Sequence, residues 1–142
     1  MSKMIFINIP VTDLARSTAF YESVGAVRNA QFSDETASSM VFSDAIHVML
    51  LTHEKFSFFS PRRIPDAHET AQMLLCISAD SREDVDQMVA RADQGGGTAD
   101  PCALQDHGFM YGRSFEDPDG HIWEVMWMDV AGFSDAQAEA AQ

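Results

Sequence analysis

The chain has 142 residues, a hydrophobic content of 46% and a formal net charge of −13, from 9 Lys and Arg against 22 Asp and Glu. This length predicts a single domain with a hydrophobic core of its own. The 10 Phe, 9 Met and 2 Trp residues argue against intrinsic disorder. The acidity disfavours nucleic acids and anionic membranes as partners, which leaves a small molecule as the expected partner.

Cysteine usage and the apolar runs bear on the compartment. Cys76 and Cys102 are too few and too far apart for a secreted disulfide scaffold or a metal-ligand pair. Cys76 lies in an apolar run, which favours simple core packing. The first residues do not resemble a signal peptide, and no apolar run approaches the roughly 20 residues that span a bilayer. We expect a soluble, cytoplasmic protein.

The first half of the chain predicts a strand, a helix and two further strands. Residues 4–9 alternate in the manner of a strand, Thr12-Asp13 supplies a candidate helix N-cap, and Gly25 ends the helix. Short strands over 39–42 and 46–50 then form a hairpin.

The second half repeats this order. Residues 73–77 predict a strand, and Ser81 opens a capping box before a helix. Apolar residues at i, i+3, i+4 and i+7 give that helix one buried stripe. They are Val85, Met88, Val89 and Ala92. Strands over 109–115 and 121–128 flank a strong turn signal at 116–120. The repeated order predicts a duplicated α+β fold.

Two segments fall outside this repeat. Residues 53–68 are irregular in pattern and carry Phe56, Phe58 and Phe59. One interpretation is a surface linker whose aromatic side chains pack under the core, and the other is a lid or dimer-contact loop. After Asp129 the chain predicts a short helical or frayed tail without chemistry.

Glu124 is the acidic residue of a strand whose two faces are otherwise apolar. It must be paired, protonated, bound to metal or open to a wet cavity, because bare burial of a carboxylate costs too much. An ion pair with Arg113 is one explanation, and a ligand site is the other. Strand alternation also predicts one face shared by His107, Phe109, Tyr111 and Arg113, which could bind and polarise a small polar ligand.

Three stretches resemble the vicinal oxygen chelate superfamily, the group of glyoxalase I, the bleomycin-resistance proteins and the extradiol dioxygenases. The stretches are residues 11–17 with Phe20-Tyr21, residues 116–124, and residues 105–113, the last similar to a glyoxalase-like bacterial subgroup. The resemblance implies an α+β fold of two tandem βαβββ modules forming a curled mixed sheet with a cup-shaped cavity. The expected boundaries are about 4–55 for module one, 56–70 for the linker, 71–129 for module two and 130–142 for the tail.

The resemblance also implies where a metal would bind, since metal-dependent members use one residue from each of four strands. It aligns three of these positions with Phe6, Leu50 and Leu74, and the fourth with Glu124. One carboxylate among hydrocarbon side chains does not hold a divalent metal tightly, so we expect no metal cofactor. On the same basis the cup would be lined by Phe6, Asn8, Val48, Leu50, Leu74, Tyr111 and Glu124.

The leading hypothesis is therefore a metal-free protein that binds a small amphipathic or aromatic molecule, as the bleomycin-resistance proteins do. Glu124, Tyr111, His107 and Arg113 would fix the polar end of the ligand, and the net charge would favour a cation. One alternative is an enzyme, a lyase, isomerase or dioxygenase that uses Glu124 as base or metal ligand beside His107. Another is a structural or regulatory domain with a vestigial cup. The resemblance also implies a homodimer.

Overall fold

The computed structural model describes residues 2–132, which fold into two mixed β-sheets with helices packed against them. The first sheet contains β1 (Ile5–Val11), β2 (Val27–Asn29), β3 (Ala37–Val41) and β4 (Ile46–Thr52). The second contains β5 (Leu75–Ser78), β6 (Thr98–Ala99), β7 (Gln105–Asp106), β8 (Met110–Glu116) and β9 (Ile122–Met128). The helices are α1 (Leu14–Ser23), α2 (His53–Phe59) and α3 (Arg82–Gln94), with a short 3-10 turn at Ala30–Phe32. Among these residues no helix is long and apolar enough to cross a membrane.

The two sheets repeat one connectivity. Strand β1 pairs in parallel with β4, and β5 pairs in parallel with β9, so the first and last strands of each half lie side by side. The other pairs are antiparallel, which gives the orders β1-β4-β3-β2 and β5-β9-β8-β6, with β7 also pairing with β8. Both sheets are curled and neither is closed. The predicted α+β fold is confirmed, with the strands divided between two sheets.

Helices α1 and α3 begin at the residues that the sequence indicates. The Asp13 carboxylate accepts a hydrogen bond from the backbone N–H of Arg16 at 3.1 Å, and the Ser81 hydroxyl accepts one from that of Asp84 at 3.0 Å. Just after α1, Gly25 adopts a φ of +109°, in the left-handed region that favours glycine. The stripe predicted on α3 faces the core.

One core joins the two halves. Phe20 of α1 packs near Phe115 at a ring-centroid distance of 5.9 Å, and Tyr21 packs near Trp123 at 6.2 Å. All four side chains are buried, so this contact removes a large apolar area from water. Gly97 permits the close approach, because a β-carbon there would lie 2.6 Å from the ring of Phe20.

Three local predictions are wrong. The segment after β4 is not irregular throughout, since it begins with helix α2. Phe58 and Phe59 do not pack under the core, because they are 79% and 64% exposed. Cys76 is exposed instead of packed in the core. The tail prediction for residues 133–142 lies outside the described part of the chain.

Candidate ligand-binding site

Strand β9 separates a core face from an open face. Trp123 and Val125 are buried in the core, whereas Glu124 between them is half-buried on the opposite face. The register places Glu124 beside Cys76 of β5 and Ser114 of β8. Burial and the nearby charge of Glu124 raise the pKa of the Cys76 thiol. The carboxylate therefore lies between the exposed Cys76 and the buried Ser114, whose hydroxyl accepts a hydrogen bond from the Cys102 backbone N–H at 3.0 Å.

Arg113 is not the partner of Glu124. It lies beside Val125 in the register, on the opposite face of the sheet. Its Nε and Nη2 donate to Asp100 at 2.9 and 2.7 Å, and its Nη1 donates to Asp86 at 2.9 Å. The hydrogen bonds from Arg113 lower the pKa of Asp100. The ion pair considered for Arg113 and Glu124 is wrong.

Tyr111 also lies on the face that packs against α3. Its hydroxyl donates to Asp86 Oδ1 at 2.6 Å, which lowers the pKa of Asp86 and raises that of Tyr111. The guanidinium of Arg82 lies 4.9 Å from the centre of the Tyr111 ring. Tyr111 is thus held in a surface cluster with α3, and it does not line the open face where Glu124 lies.

His107 lies in a turn, because β8 begins only at Met110. Gly108 adopts a φ of +80°, which ends the strand alternation predicted through this region. The His107 backbone N–H donates to the Met110 carbonyl. Met110 lies four residues along β8 from Ser114, the neighbour of Glu124, which corresponds to a distance of about 13 Å. The structure therefore does not bring Glu124, His107 and Tyr111 together.

The first sheet has the same two faces. Phe6 and Asn8 lie on the open face, where Phe6 is 55% exposed and stacks on His47 at a centroid distance of 4.7 Å. Val48 and Leu50 lie on the other face and are fully buried in the core, so they do not line a cup. Leu74, just before β5, is 51% exposed. The predicted binding residues are consequently divided between the core and the open faces.

An apolar cavity of about 200 Å³ lies where the two sheets meet the linker. Its wall combines side chains of β1, α2, the linker, β5 and β9. They include Ile7, Asn8, Phe56, Pro65, Met73, Leu75 and Ile122. Asn8 is the only predicted site residue in this wall. Linker residues, for which the sequence offered no motif, build part of this wall beside β1, β5 and the turn before β9.

A second, polar cavity of about 480 Å³ adjoins the first. Its wall contains residues from the start of α1, the start of α2, the linker and the turn before β9. They include Thr12, Arg16, His53, Asp66, His68 and Asp119. The two cavities share Pro10, Pro65, Ala67 and His121. The isolated histidines in this wall have no sequence spacing that would have marked them as a group.

A buried hydrogen-bond network lies between the halves. The Tyr21 hydroxyl donates to Asp117 Oδ2 at 2.7 Å and accepts from Trp123 Nε1 at 3.0 Å. Burial, reinforced by the charge of Asp117, raises the pKa of Tyr21, and burial raises the pKa of Asp117. The same turn carries Gly120, where a β-carbon would lie 2.7 Å from the backbone nitrogen of His68. Glycine there lets the linker lie against the turn and cover the cavities.

The duplicated strand–helix–strand halves, the shared core and the cavities at their junction define a paired-module α+β domain. Residues 3–125 match the family model described as the Glyoxalase/Bleomycin resistance protein/Dioxygenase superfamily. The chain belongs to this family, which confirms the resemblance drawn from the sequence.

Several solved structures share the fold. A glyoxalase/bleomycin resistance protein/dioxygenase family enzyme from Burkholderia phytofirmans is 19% identical, with a TM-score of 0.72 over 89% of this chain and 99% of that one. The fosfomycin resistance protein FosX from Listeria monocytogenes is 19% identical, with a TM-score of 0.63 and coverages of 89% and 91%. TnmS3, an antibiotic binding protein from Streptomyces, is 20% identical, with a TM-score of 0.63 and coverages of 90% and 97%. The comparison with curated proteins found no match.

The side chains at the aligned metal positions do not fit a divalent metal. Phe6 and Leu74 offer only hydrocarbon, and Leu50 points into the core, so Glu124 alone supplies an oxygen ligand. Zinc and similar ions need three or four nitrogen, oxygen or sulfur ligands. Within residues 2–132, no group of three or more His, Cys, Asp or Glu side chains is placed to hold a metal ion.

Proposed function

We propose that the protein binds a small amphipathic or aromatic molecule at the junction of its two sheets, without a metal cofactor. The apolar cavity there is the observation that carries this proposal. An engineered apolar cavity of about 150 Å³ is large enough for benzene, so a cavity of about 200 Å³ admits one aromatic ring. Walls that are mostly apolar with a few polar groups are the usual profile of ligand sites.

A cavity-filling substitution tests the proposal. Ala71 lines the apolar cavity, whereas Ala90 is exposed on α3 and lines neither cavity. Neutral one-ring aromatic compounds should bind the native protein and the Ala90→Phe control in isothermal titration calorimetry. The Ala71→Phe variant should bind them at least tenfold more weakly. Equal binding by both variants, or no binding by the native protein, would contradict the proposal.

Elemental analysis tests the metal part. Protein purified without chelators should contain zinc, nickel, iron and manganese well below one equivalent. A stoichiometric content of any of them would overturn the metal-free proposal and revive the enzyme alternative with Glu124 as ligand. The observed separation of Glu124 from His107 and Tyr111 does not favour that alternative.

We also propose a cytoplasmic homodimer. Free Cys76 and Cys102 suit a reducing compartment. Ile5, Phe6 and Leu74 are exposed large apolar side chains, which often mark an interface. Sedimentation equilibrium should give twice the monomer mass of 15.7 kDa, and a monomer at micromolar concentration would contradict the dimer.

A further inference from the structure

We infer that the ligand carries an acidic head group, a carboxylate or a phosphate, which lies in the polar cavity while its apolar part fills the apolar cavity. This inference rests on the proposed function and names the class of ligand. The two cavities share four wall residues and therefore adjoin, so a molecule that spans both would place one end in each. A ligand of this kind is an amphipathic anion.

Arg16 and His53 supply hydrogen-bond donors to the polar cavity. Arg16 Nη2 donates to Thr12 Oγ1 at 3.0 Å. The Arg16 guanidinium donates no other hydrogen bond to residues 2–132. A guanidinium has five N–H donors, so most of them remain for a ligand. The His53 side chain makes no hydrogen bond or ion pair with residues 2–132. The cavity therefore offers a fixed positive charge and an imidazole that the fold does not use.

Both carboxylates in the same wall accept hydrogen bonds from the protein, and Asp66 keeps one oxygen, Oδ2, without a partner among residues 2–132. Asp119 Oδ1 accepts from the N–H and the hydroxyl of Thr12 at 3.0 and 2.8 Å, and its Oδ2 accepts from Ser17 at 3.3 Å. Asp66 Oδ1 accepts from the backbone N–H of His68 at 2.9 Å. A cationic ligand would compete with the donors that already occupy both oxygens of Asp119, whereas an anionic ligand would meet the unused donors of Arg16.

The remaining imidazoles in the wall each have one ring nitrogen near an acceptor of the protein. His68 Nδ1 lies 3.6 Å from Glu116, and its Nε2 has no hydrogen-bond partner among residues 2–132. His121 Nε2 lies 2.9 Å from the Pro10 carbonyl in the wall between the cavities. The overall charge of −13 does not reverse this preference, because charges beyond about 8–10 Å are screened at physiological ionic strength. The groups in the wall rather than the net charge therefore decide the sign of the ligand, and the donors among them that the protein leaves unused are those of Arg16 and His53.

Three probes of one shape test the inference by calorimetry: phenylpropionate, phenylpropanol and phenylpropylamine. We expect the carboxylate to bind at least tenfold more tightly than the alcohol and the amine to bind most weakly. Arg16→Gln should weaken phenylpropionate at least tenfold and leave phenylpropanol unchanged, because it removes only the charged partner. His53→Gln should act in the same direction. Arg28→Gln, on exposed β2 and outside both cavities, is the matched control and should change neither.

The outcomes separate this inference from the proposed function. Equal affinity for the alcohol and the carboxylate, or tightest binding of the amine, would overturn the acidic head group and leave the apolar site standing. A loss of alcohol binding in Arg16→Gln would also overturn it, since the effect would then be structural. Failure of all three probes to bind would reject the proposed function and this inference with it. Phenyl phosphate in place of phenylpropionate distinguishes the two head groups.

Discussion

Replacing Tyr21 with Phe tests how far the buried network between the halves stabilises the fold. The hydroxyl donates to Asp117 Oδ2 at 2.7 Å and accepts from Trp123 Nε1 at 3.0 Å. All three residues are at most 1% exposed. Removing the hydroxyl leaves a carboxylate oxygen and an indole N–H buried without that partner, and water has little access to replace it.

The expected loss follows from these two contacts. A hydrogen bond to a charged group contributes about 1.5–3 kcal/mol, and a buried polar group without a partner costs about 1–3 kcal/mol. Allowing for local relaxation, Tyr21→Phe should lower the free energy of unfolding by about 3 kcal/mol. With an unfolding entropy of about 2.1 cal/mol/K per residue, the melting temperature should fall by roughly 10 °C.

The loss should also depend on pH. Burial raises the pKa of Asp117, so the protonated carboxyl is favoured in the folded state. The stability that this raised pKa of Asp117 contributes is fully present below the unfolded pKa of about 3.9. It is lost as the pH rises through the folded pKa. The Tyr21 bond favours the ionised form, and its removal raises the folded pKa further. Tyr21→Phe should therefore cost more at pH 7 than at pH 4.

Tyr111→Phe is the matched control. Its hydroxyl donates to Asp86 at 2.6 Å, but the Asp86 side chain is 52% exposed and water can replace the bond. That substitution should cost about 1 kcal/mol or less. Urea denaturation followed by tryptophan fluorescence measures both variants. Equal losses for the two substitutions would refute the reasoning that burial decides the cost.

Three further predictions concern packing and surface charge. Gly97→Ala should lower stability by about 1–3 kcal/mol in thermal denaturation, because the added carbon meets the backbone carbonyl of Glu116 and the buried ring of Phe20; an unchanged melting temperature would show that both neighbours move at little cost. Leu50→Ala should cost about 2–5 kcal/mol in urea denaturation and Phe6→Ala less than about 1 kcal/mol, and the reverse order would contradict their assigned faces. Arg82→Gln should raise the pKa of Asp106 from about 2 toward its ordinary 3.8 in an NMR titration, since Arg82 stabilises the ionised form; an unshifted pKa would mean that the backbone N–H bond to the carboxylate suffices.

Local signals in the sequence predicted most of the fold. The Asp13 and Ser81 caps depend on hydrogen bonds to residues three positions away, so they can be read without knowing the tertiary structure. Alternation likewise located most strands to within two or three residues. Helix α2 was missed because it has no apolar stripe. Instead, the Lys55 ammonium lies 5.5 and 5.3 Å from the rings of Phe58 and Phe59 at its surface.

The faces of the strands could not all be predicted. Alternation is reliable only while the strand is unbroken, and the turn at Gly108 ended it between His107 and Tyr111. The packing of the helices decides which face of a strand lies toward the core. The sequence of β4 alone does not predict where the helices pack. Val48 and Leu50 therefore lie in the core, although alignment by resemblance placed them in a cup.

The contacts made by the motifs that carried the resemblance explain why the resemblance predicted the fold better than the site. Thr12 of the first motif donates to Asp119 of the second, and Tyr21 donates to Asp117, so the two motifs bind each other where the halves meet. Substituting either motif should therefore weaken the contact between the two halves of this chain. The cavity walls combine residues of these motifs with the linker, which lies against the second motif at Gly120. Ligand choice in this chain is consequently set by motif residues such as Arg16 together with linker residues that no shared motif specifies.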